Sequence, residues 1–152
     1  MIGHTDAIAE MHAMFLAAWD TQAVRDVVGY VPEVQYSDVK VLAKLTGDKF
    51  VARVNVIHGS ERQATLSDCV SAPGKRMYQF DGVIIVQLFV PKHVENNIVQ
   101  GRRLAEIGRN AYRGTASENG IWFRNARIEP RREEELFFRL DVVVDFTHSE
   151  VA

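Results

Sequence analysis

The sequence predicts an α+β fold, a two-layer domain in which two helices pack on one face of a mainly antiparallel or mixed β-sheet. Apolar residues at helical spacing mark one helix near the start of the chain and a second one after residue 96. Between and after them lie segments with the alternation of strands, which is clearest in the last third. We therefore expect the order α-β-β-β-α-β-β in a single domain spanning 1–152, since 152 residues is a typical domain length.

The first helix is predicted over about residues 5–20, with Thr5 or Asp6 as its N-cap. Its apolar stripe consists of Ile8, Met11, Phe15 and Trp19. We expect this stripe to face the core, because an exposed stripe that binds a partner is the rarer arrangement. Residues 21–33 permit a further helical turn, which a glycine and a proline in this segment interrupt.

Three strands follow the first helix in the prediction, over residues 34–41, 49–57 and 77–90. The last of these is apolar on both faces, as expected for a central strand that is covered on both sides, and Pro91 ends it. Residues 58–62 are polar and typical of a loop. We therefore expect a long loop between the second and third strands.

The second helix is predicted to begin at Asn96 or Asn97, to run to about Tyr112 and to be closed by Gly114. A β-hairpin completes the domain, with its first arm over residues 121–129. One set of residues on the second arm is expected to be buried: Leu136, Phe138, Leu140, Val142, Val144 and Phe146. The alternate set is expected to be exposed: Phe137, Arg139, Asp141, Val143, Asp145 and Thr147.

Composition and charge argue against several classes of protein. Lys and Arg total 18 and Asp and Glu total 20, a net charge of −2, whereas a dedicated nucleic-acid-binding domain usually has a pI above about 9. No run approaches the roughly 18 apolar residues of a membrane span, and the first residues lack the pattern of a signal peptide. The single cysteine, Cys69, fits a reducing cytoplasm. We therefore expect no membrane association and no specificity for nucleic acid.

No motif indicates an enzyme, a cofactor or a metal. The histidines at positions 4, 12, 58, 93 and 148 lack the spacing of a helical zinc site, and no cysteine pair exists. Cys69 has no base nearby in sequence, so we interpret it as a small apolar filler or a half-exposed thiol. Asp141 and Asp145 lie two positions apart on one strand face and could act as an acid–base pair. Their neighbours Arg139 and Thr147 make an ordinary surface or a subunit contact the better interpretation.

Arginine is concentrated in the last third of the chain. Nine of the 13 arginines lie between Arg102 and Arg139, interleaved with glutamates. Because arginine forms fork-like pairs with carboxylates, this region suits either a salt-bridged surface or contacts between subunits. Phe137 and Val143, apolar residues expected on the exposed face of the last strand, favour subunit contacts. The candidate contact residues are Arg102, Arg109, Arg113, Arg131, Arg132, Phe137, Arg139, Asp141 and Val143.

The order of these segments resembles a known family. The first helix carries Phe15-x-x-x-Trp19, and a valine-rich strand leads to FVARV at 50–54 and QATL at 63–66. After a basic turn comes FDGVIIVQLFVP at 80–91, followed by a helix and the closing hairpin. Over nearly its whole length the chain resembles the tail terminator proteins of long-tailed bacteriophages and prophages, the minor tail protein U type.

This resemblance implies a structural protein with no catalytic role and no cofactor. Such proteins form a ring, a hexamer, on the head-proximal end of the tail tube, where the ring stops polymerisation of the tube and offers a surface for head attachment. The implied partners are further copies of the chain, the major tail tube protein and the head–tail connector protein. The protein is then expected in the host cytoplasm during assembly and afterwards in the virion tail.

Two alternatives stay open: another head–tail joining (neck) protein, and a small ligand-binding or enzymatic α+β domain. The second alternative needs polar residues that converge in the core, and the core-facing positions are almost purely apolar. We also expect the polar segment 58–76 to become ordered on contact with the tail tube. Its candidate tube-facing residues are Ser60, Glu61, Arg62, Lys75 and Arg76.

Overall fold

The structure, a computed structural model, describes residues 2–36, 47–64 and 75–151. Three helices and five strands lie in these ranges. The helices are α1 His4–Trp19, α2 Gln22–Val28 and α3 Asn97–Asn110. The strands are β1 Glu33–Tyr36, β2 Val51–Gln63, β3 Met77–Pro91, β4 Trp122–Pro130 and β5 Phe137–Val151.

The five strands form one mixed sheet in the order β1-β2-β3-β5-β4. β1 runs parallel to β2, and every other neighbouring pair is antiparallel. β3 and β5 pair along their whole length, and β2 pairs with β3 as far as Gln63 opposite Tyr78, past a bulge between His58 and Ser60. Three strands therefore continue together to one end of the sheet. We call this end the ribbon; it consists of residues 58–63 of β2, 77–82 of β3 and 146–151 of β5.

The helices and the sheet bury one main core between them. The α1 residues in this core are Ala7, Met11, Phe15 and Trp19. α3 packs closely on β3, since a Cβ atom on Gly101 would lie 2.7 Å from Val90 Cγ2. The Tyr112 hydroxyl, in the turn after α3, donates to the Met11 carbonyl oxygen of α1 at 2.7 Å. All three described helices contribute buried residues to this core, which places them on one face of the sheet.

The opposite face of the sheet, here called the outer face, carries none of the described helices. In β2 and β3 its residues are Val51, Arg53, Asn55, Ile57, Asp81, Val83, Ile85, Gln87 and Phe89. In β4 and β5 they are Trp122, Arg124, Arg127, Glu129, Phe137, Arg139, Asp141, Val143, Asp145 and Thr147. A second, small hydrophobic cluster of Val51, Phe89 and Phe137 lies on this face. The sheet thus has buried apolar residues on both sides.

The α+β class with helices on one face of a mixed sheet is confirmed, with differences in the helices. Gly3 occupies the N-cap position of α1, which the prediction gave to Thr5 or Asp6. The prediction of two helices was incomplete, because residues 22–28 form the seven-residue α2. Gly29 closes α2 at a φ of 84°, a left-handed conformation that glycine adopts without a Cβ clash.

The predicted loop at 58–62 was wrong. These residues belong to β2, which continues to Gln63 because β3 pairs with it. Their side chains are polar and mostly exposed, so no apolar alternation marks them as a strand. Of the first predicted strand, residues 34–36 lie in β1, which begins one residue earlier at Glu33. The part from residue 37 onward lies outside the described residues, as does Cys69.

The structure confirms which side chains of β5 face the main core, but the opposite face of the strand is less exposed than predicted. Side chains at the even positions of 138–146 belong to the main core or pack against it. On the outer face Phe137, Asp141 and Val143 are also buried, with 3%, 1% and 4% exposure. The exposure predicted for these three residues was therefore wrong. Leu136, predicted to be buried, is exposed.

Candidate assembly surface

Asp141 is the centre of an ion-pair network on the outer face. Arg139 Nε and Nη2 donate to its two carboxylate oxygens at 3.0 and 3.2 Å, and Arg131 Nε donates at 3.1 Å. The hydrogen bond to Asp141 is the largest of the effects that raise the pKa of Arg139. Each arginine also contacts a second carboxylate, Glu134 for Arg139 and Glu129 for Arg131. Three of the predicted contact residues therefore bond to one another within the chain.

A second group of ion pairs lies further along β4 and β5. Arg127 Nη1 is 3.6 Å from Asp145 Oδ1, and Arg124 Nη2 is 3.9 Å from Asp81 Oδ1. A bulge between the two arginines, in which Asn125 has a φ of 54°, lets both lie on the outer face. The arginines of β4 and β5 are thus compensated by carboxylates of the same chain.

An apolar strip crosses the outer face beside these ion pairs. Val143 of β5 pairs with Ile85 of β3, and in the next row Val83 of β3 pairs with Ile57 of β2. Val83 and Ile85 are half-buried, and Ile57 is 42% exposed. Trp122, at the start of β4, is 67% exposed and is the most exposed large apolar side chain of the described residues. Aromatic and apolar side chains beside arginines are typical of protein–protein contacts.

The remaining arginine candidates, on or beside α3, lie in the helical layer of the domain, on the opposite side from the outer face. Arg102 and Arg109 belong to α3, Arg113 follows it, and Arg103 is their exposed neighbour. Within the described ranges none of these four arginines forms an ion pair, and neither does Glu106, the single carboxylate of α3. α3 therefore presents uncompensated positive charge on the side of the molecule away from the outer face.

The remaining candidates are at turns and at the ribbon. Arg132 is exposed between β4 and β5. The tube-facing candidates do not form the predicted loop: Ser60, Glu61 and Arg62 lie in β2, and Lys75 and Arg76 directly precede β3. Ala64 N donates to Met77 O at 2.7 Å, which brings the two segments to the same end of the ribbon. Residues 65–74, between them, lie outside the described residues.

Three histidines that no sequence motif connects meet on the helix-facing side of the ribbon. His58 Nε2 lies 2.9 Å from His148 Nε2, and the ring of His4 stacks on that of His58 with 3.8 Å between centroids. Phe80 and Phe146 pack against the imidazoles. Burial, followed by the neighbouring histidines, lowers the pKa of His58 to about 4. The one signal in the sequence is that residue 148 continues the core-facing set of β5.

Metal-binding clusters and membrane-spanning helices are both absent from the part of the chain that the structure describes. In residues 2–36, 47–64 and 75–151, no group of three or more His, Cys, Asp or Glu side chains is arranged to hold a metal ion. In the same residues no helix is long and apolar enough to cross a membrane.

No family model and no curated protein matches the sequence. Among solved structures, one chain whose name is an identifier without a stated function is 11% identical, with a TM-score of 0.57; the match covers 91% of this chain and 94% of that chain. A chain from the virion of a native gene transfer agent particle is 20% identical with a TM-score of 0.48, and 93% of each chain is covered. The first of these two chains shares the fold of this protein, and at 11% identity the likeness extends to the fold alone.

Proposed function

We propose that this protein is a structural subunit that completes a phage-type tail. Six copies form a ring on the head-proximal end of the tail tube, stop polymerisation of the tube and offer a surface for head attachment. The partners are the major tail tube protein on one side of the ring and the head–tail connector protein on the other. The order of sequence segments that resembles the tail terminator proteins supplies this class, and the two-layer α+β fold is compatible with it.

The proposal of a ring rests on one observation, that arginines lie both on the helical layer and on the outer face of the sheet. In a ring of identical subunits each copy contacts its two neighbours through two different surfaces. The uncompensated arginines of α3 and the ion-paired, partly apolar outer face are two such surfaces on opposite sides of the domain. Contact between two α3 surfaces would bring like charges together. We therefore expect α3 of one copy to meet a different surface of the next copy.

The polar end of the ribbon is the proposed contact with the tube. Ser60, Glu61 and Arg62 are exposed, with Lys75 at the same end. A strand pair supports these side chains on hydrogen-bonded backbone, whereas a free loop must lose conformational entropy on binding. The proposed tube contact is therefore a strand-supported surface and not the flexible loop expected from the sequence.

Native mass spectrometry and small-angle scattering test the ring and its partner together. The purified protein is measured with and without assembled tail tubes, and we expect a six-chain species that binds tube ends and halts their growth. A protein that stays monomeric and does not bind tail tubes at high concentration would contradict the proposal. Binding to the head connector without binding to tubes would favour a neck protein, and a monomer that binds a small ligand would favour the ligand-binding alternative.

A pair of charge reversals tests the α3 surface. Arg102→Glu changes an arginine without an ion pair in the described ranges. We expect it to raise the dissociation constant between subunits of the ring at least about tenfold. Arg25→Glu is the matched control, since Arg25 is also exposed on a helix but pairs with Asp20 at 2.7 Å. If both variants assemble equally well, α3 is not a subunit contact.

A further inference from the structure

The residues that lead into α1 are fixed to the ribbon by hydrogen bonds to β5. Ile2 N donates to Ser149 O at 2.9 Å, and Ile2 O lies 3.0 Å from His148 Nδ1. The Ile2 side chain is part of the main core. Gly3, the N-cap residue of α1, provides no side-chain cap. The start of α1 is therefore attached to the sheet through the hydrogen bonds of Ile2 to β5 and through the stacking of His4 on His58 of β2.

These hydrogen bonds determine where the protons of the histidine pair lie. A carbonyl oxygen can only accept, so His148 Nδ1 carries a hydrogen and donates it to Ile2 O. In neutral His148, Nε2 is then an acceptor, and His58 Nε2 donates to it across 2.9 Å. Only one hydrogen fits between the two nitrogens. Two imidazolium rings would direct two N–H groups at each other, so this arrangement holds at most one positive charge.

The apolar surroundings oppose even that one charge. His148 is 1% exposed, and its ring stacks on Phe80 with 4.7 Å between centroids and 11° between planes. Phe146 packs edge-on against His58 at 5.1 Å. Desolvation is the largest effect on both histidines and lowers the pKa of each.

Charged groups around the pair act in both directions. From α1, His4 stacks on His58 and opposes a second positive charge. The hydrogen bond to Ile2 O is the largest effect that favours the charged form of His148, and Glu150 of β5 and Asp81 of β3 favour it as well. From β2, Glu61 lines the same cleft as His4 and His58. β4 contributes Trp122, which is uncharged, to the cleft on the other side of His148.

We propose that the contact between residues 2–4 and the ribbon is an acid-sensitive latch. When His58 and His148 both carry a positive charge, the hydrogen bond between their Nε2 atoms is lost and the two rings repel each other. Movement of the His148 ring then withdraws its Nδ1–H from Ile2 O, and Ile2 with the first turn of α1 leaves β5. The pairing of β3 with β5 does not use these side chains, so the sheet stays intact while the latch opens. This inference is independent of the proposed role in tails.

Hydrogen–deuterium exchange measured by mass spectrometry tests the latch, and the method can be applied to a monomer or to an oligomer. Exchange at the C2–H of each histidine follows its protonation, and exchange at the backbone amides of residues 2–8 follows opening. With amide rates corrected for their intrinsic pH dependence, we expect both to change together as the pH falls from 6.5 toward about 4. The amides of 142–144 in β5 should stay protected. Protonation of both rings without loss of protection at 2–8 would overturn the proposal.

A variant and a matched control separate the pair from general acid effects. His58→Gln places an amide that can donate to neutral His148 and accept from charged His148. We expect it to move the opening of residues 2–8 to lower pH by about one unit or more. His93→Gln changes an exposed histidine away from the ribbon and should leave the opening where it is. If His58→Gln opens at the wild-type pH, the latch does not depend on the pair; if it fails to fold, the wild-type measurement still decides.

Discussion

Replacing Asp141 by alanine is expected to destabilise the fold of the single chain. The carboxylate is 1% exposed and accepts three hydrogen bonds from Arg131 and Arg139. Removing one partner of a buried ion pair typically costs about 3–5 kcal/mol, because the other charge is left buried and unpaired. Here the guanidiniums are not fully buried, since the side chain of Arg131 is 44% exposed and that of Arg139 is 25% exposed.

The cost should therefore be smaller than for a fully buried pair. After the substitution both arginines can reach water, and each keeps a contact with Glu129 or Glu134. We expect a loss of about 2–3 kcal/mol in the free energy of unfolding, in the range of lost hydrogen bonds to charged groups. Asp145→Ala is the control: its side chain is 24% exposed and 3.6 Å from Arg127, so we expect a loss of at most about 1 kcal/mol.

Urea unfolding followed by circular dichroism measures both losses. The curves should be recorded at two protein concentrations, since association would add its own stability to the folded state. An Asp141→Ala variant no less stable than Asp145→Ala would refute the reasoning. In that case the buried network would be neutral for folding, and Asp141 would regain its predicted role as a residue whose main contacts lie between subunits.

Three further predictions concern packing, a buried hydrogen bond and pH. Gly101→Ala places a methyl group 2.7 Å from Val90 Cγ2 and should cost about 1–3 kcal/mol in urea unfolding; a neutral result would mean that α3 shifts freely on β3. Tyr112→Phe leaves Met11 O without its buried donor and should cost about 1–2 kcal/mol, measured the same way, with no loss if another donor replaces the hydroxyl. The pKa of His58 is lowered from 6.5 to about 4, so below pH 6.5 the unfolded chain binds more protons than the folded one. The contribution of His58 to the free energy of unfolding should thus be fully present above pH 6.5 and should be lost as the pH falls toward 4. The loss should be less than about 1.4 kcal/mol per pH unit, because the ring is partly solvated. His58→Gln should flatten this pH profile.

The fold could be predicted where burial follows a local period. α1 and β5 carry apolar residues at the spacing of a helix and a strand, because each element presents one face to the same core. The ribbon part of β2 has no such period. Its polar residues 58–63 are in a strand because β3 pairs with them, which is a long-range cause that a local pattern does not contain. α2 was missed as a separate helix because seven residues carry only one buried side chain, Val24.

The candidate site was predictable in composition but not in arrangement. Arginine content and strand alternation made Arg131, Arg139 and Asp141 candidate contact residues, yet the sequence could not show that these three residues form ion pairs with one another. Strand alternation placed Arg139 and Asp141 on the same face of β5, and the structure confirms that placement. Whether that face is wet depends on the packing of its neighbours, which buries Phe137 and Val143 as well. Histidines at 4, 58 and 148 meet through sheet register, so nothing local could connect them.

The arginines of the last third divide into those with an ion pair to a carboxylate of the same chain and those without one among the described residues. The set with ion pairs is Arg124, Arg127, Arg131 and Arg139. The set with no ion pair among the described residues consists of four arginines on or beside α3 and one in the turn between β4 and β5: Arg102, Arg103, Arg109, Arg113 and Arg132. Reversing a charge in the first set puts like charges beside a carboxylate in the same chain, so stability should fall whether or not the protein assembles.

Reversing a charge in the second set disturbs no such pair, so the free energy of unfolding of the single chain should change by at most about 1 kcal/mol, with the largest change at Arg109, where a carboxylate in the last turn of α3 opposes the helix dipole. Any loss of assembly in these variants then reports the surface itself. Arg139→Glu and Arg109→Glu make the comparison within one experiment, since both remove an arginine and add a carboxylate. If the two variants lose equal stability, the ion pairs of the outer face do not stabilise the fold, and the contrast between the two surfaces fails.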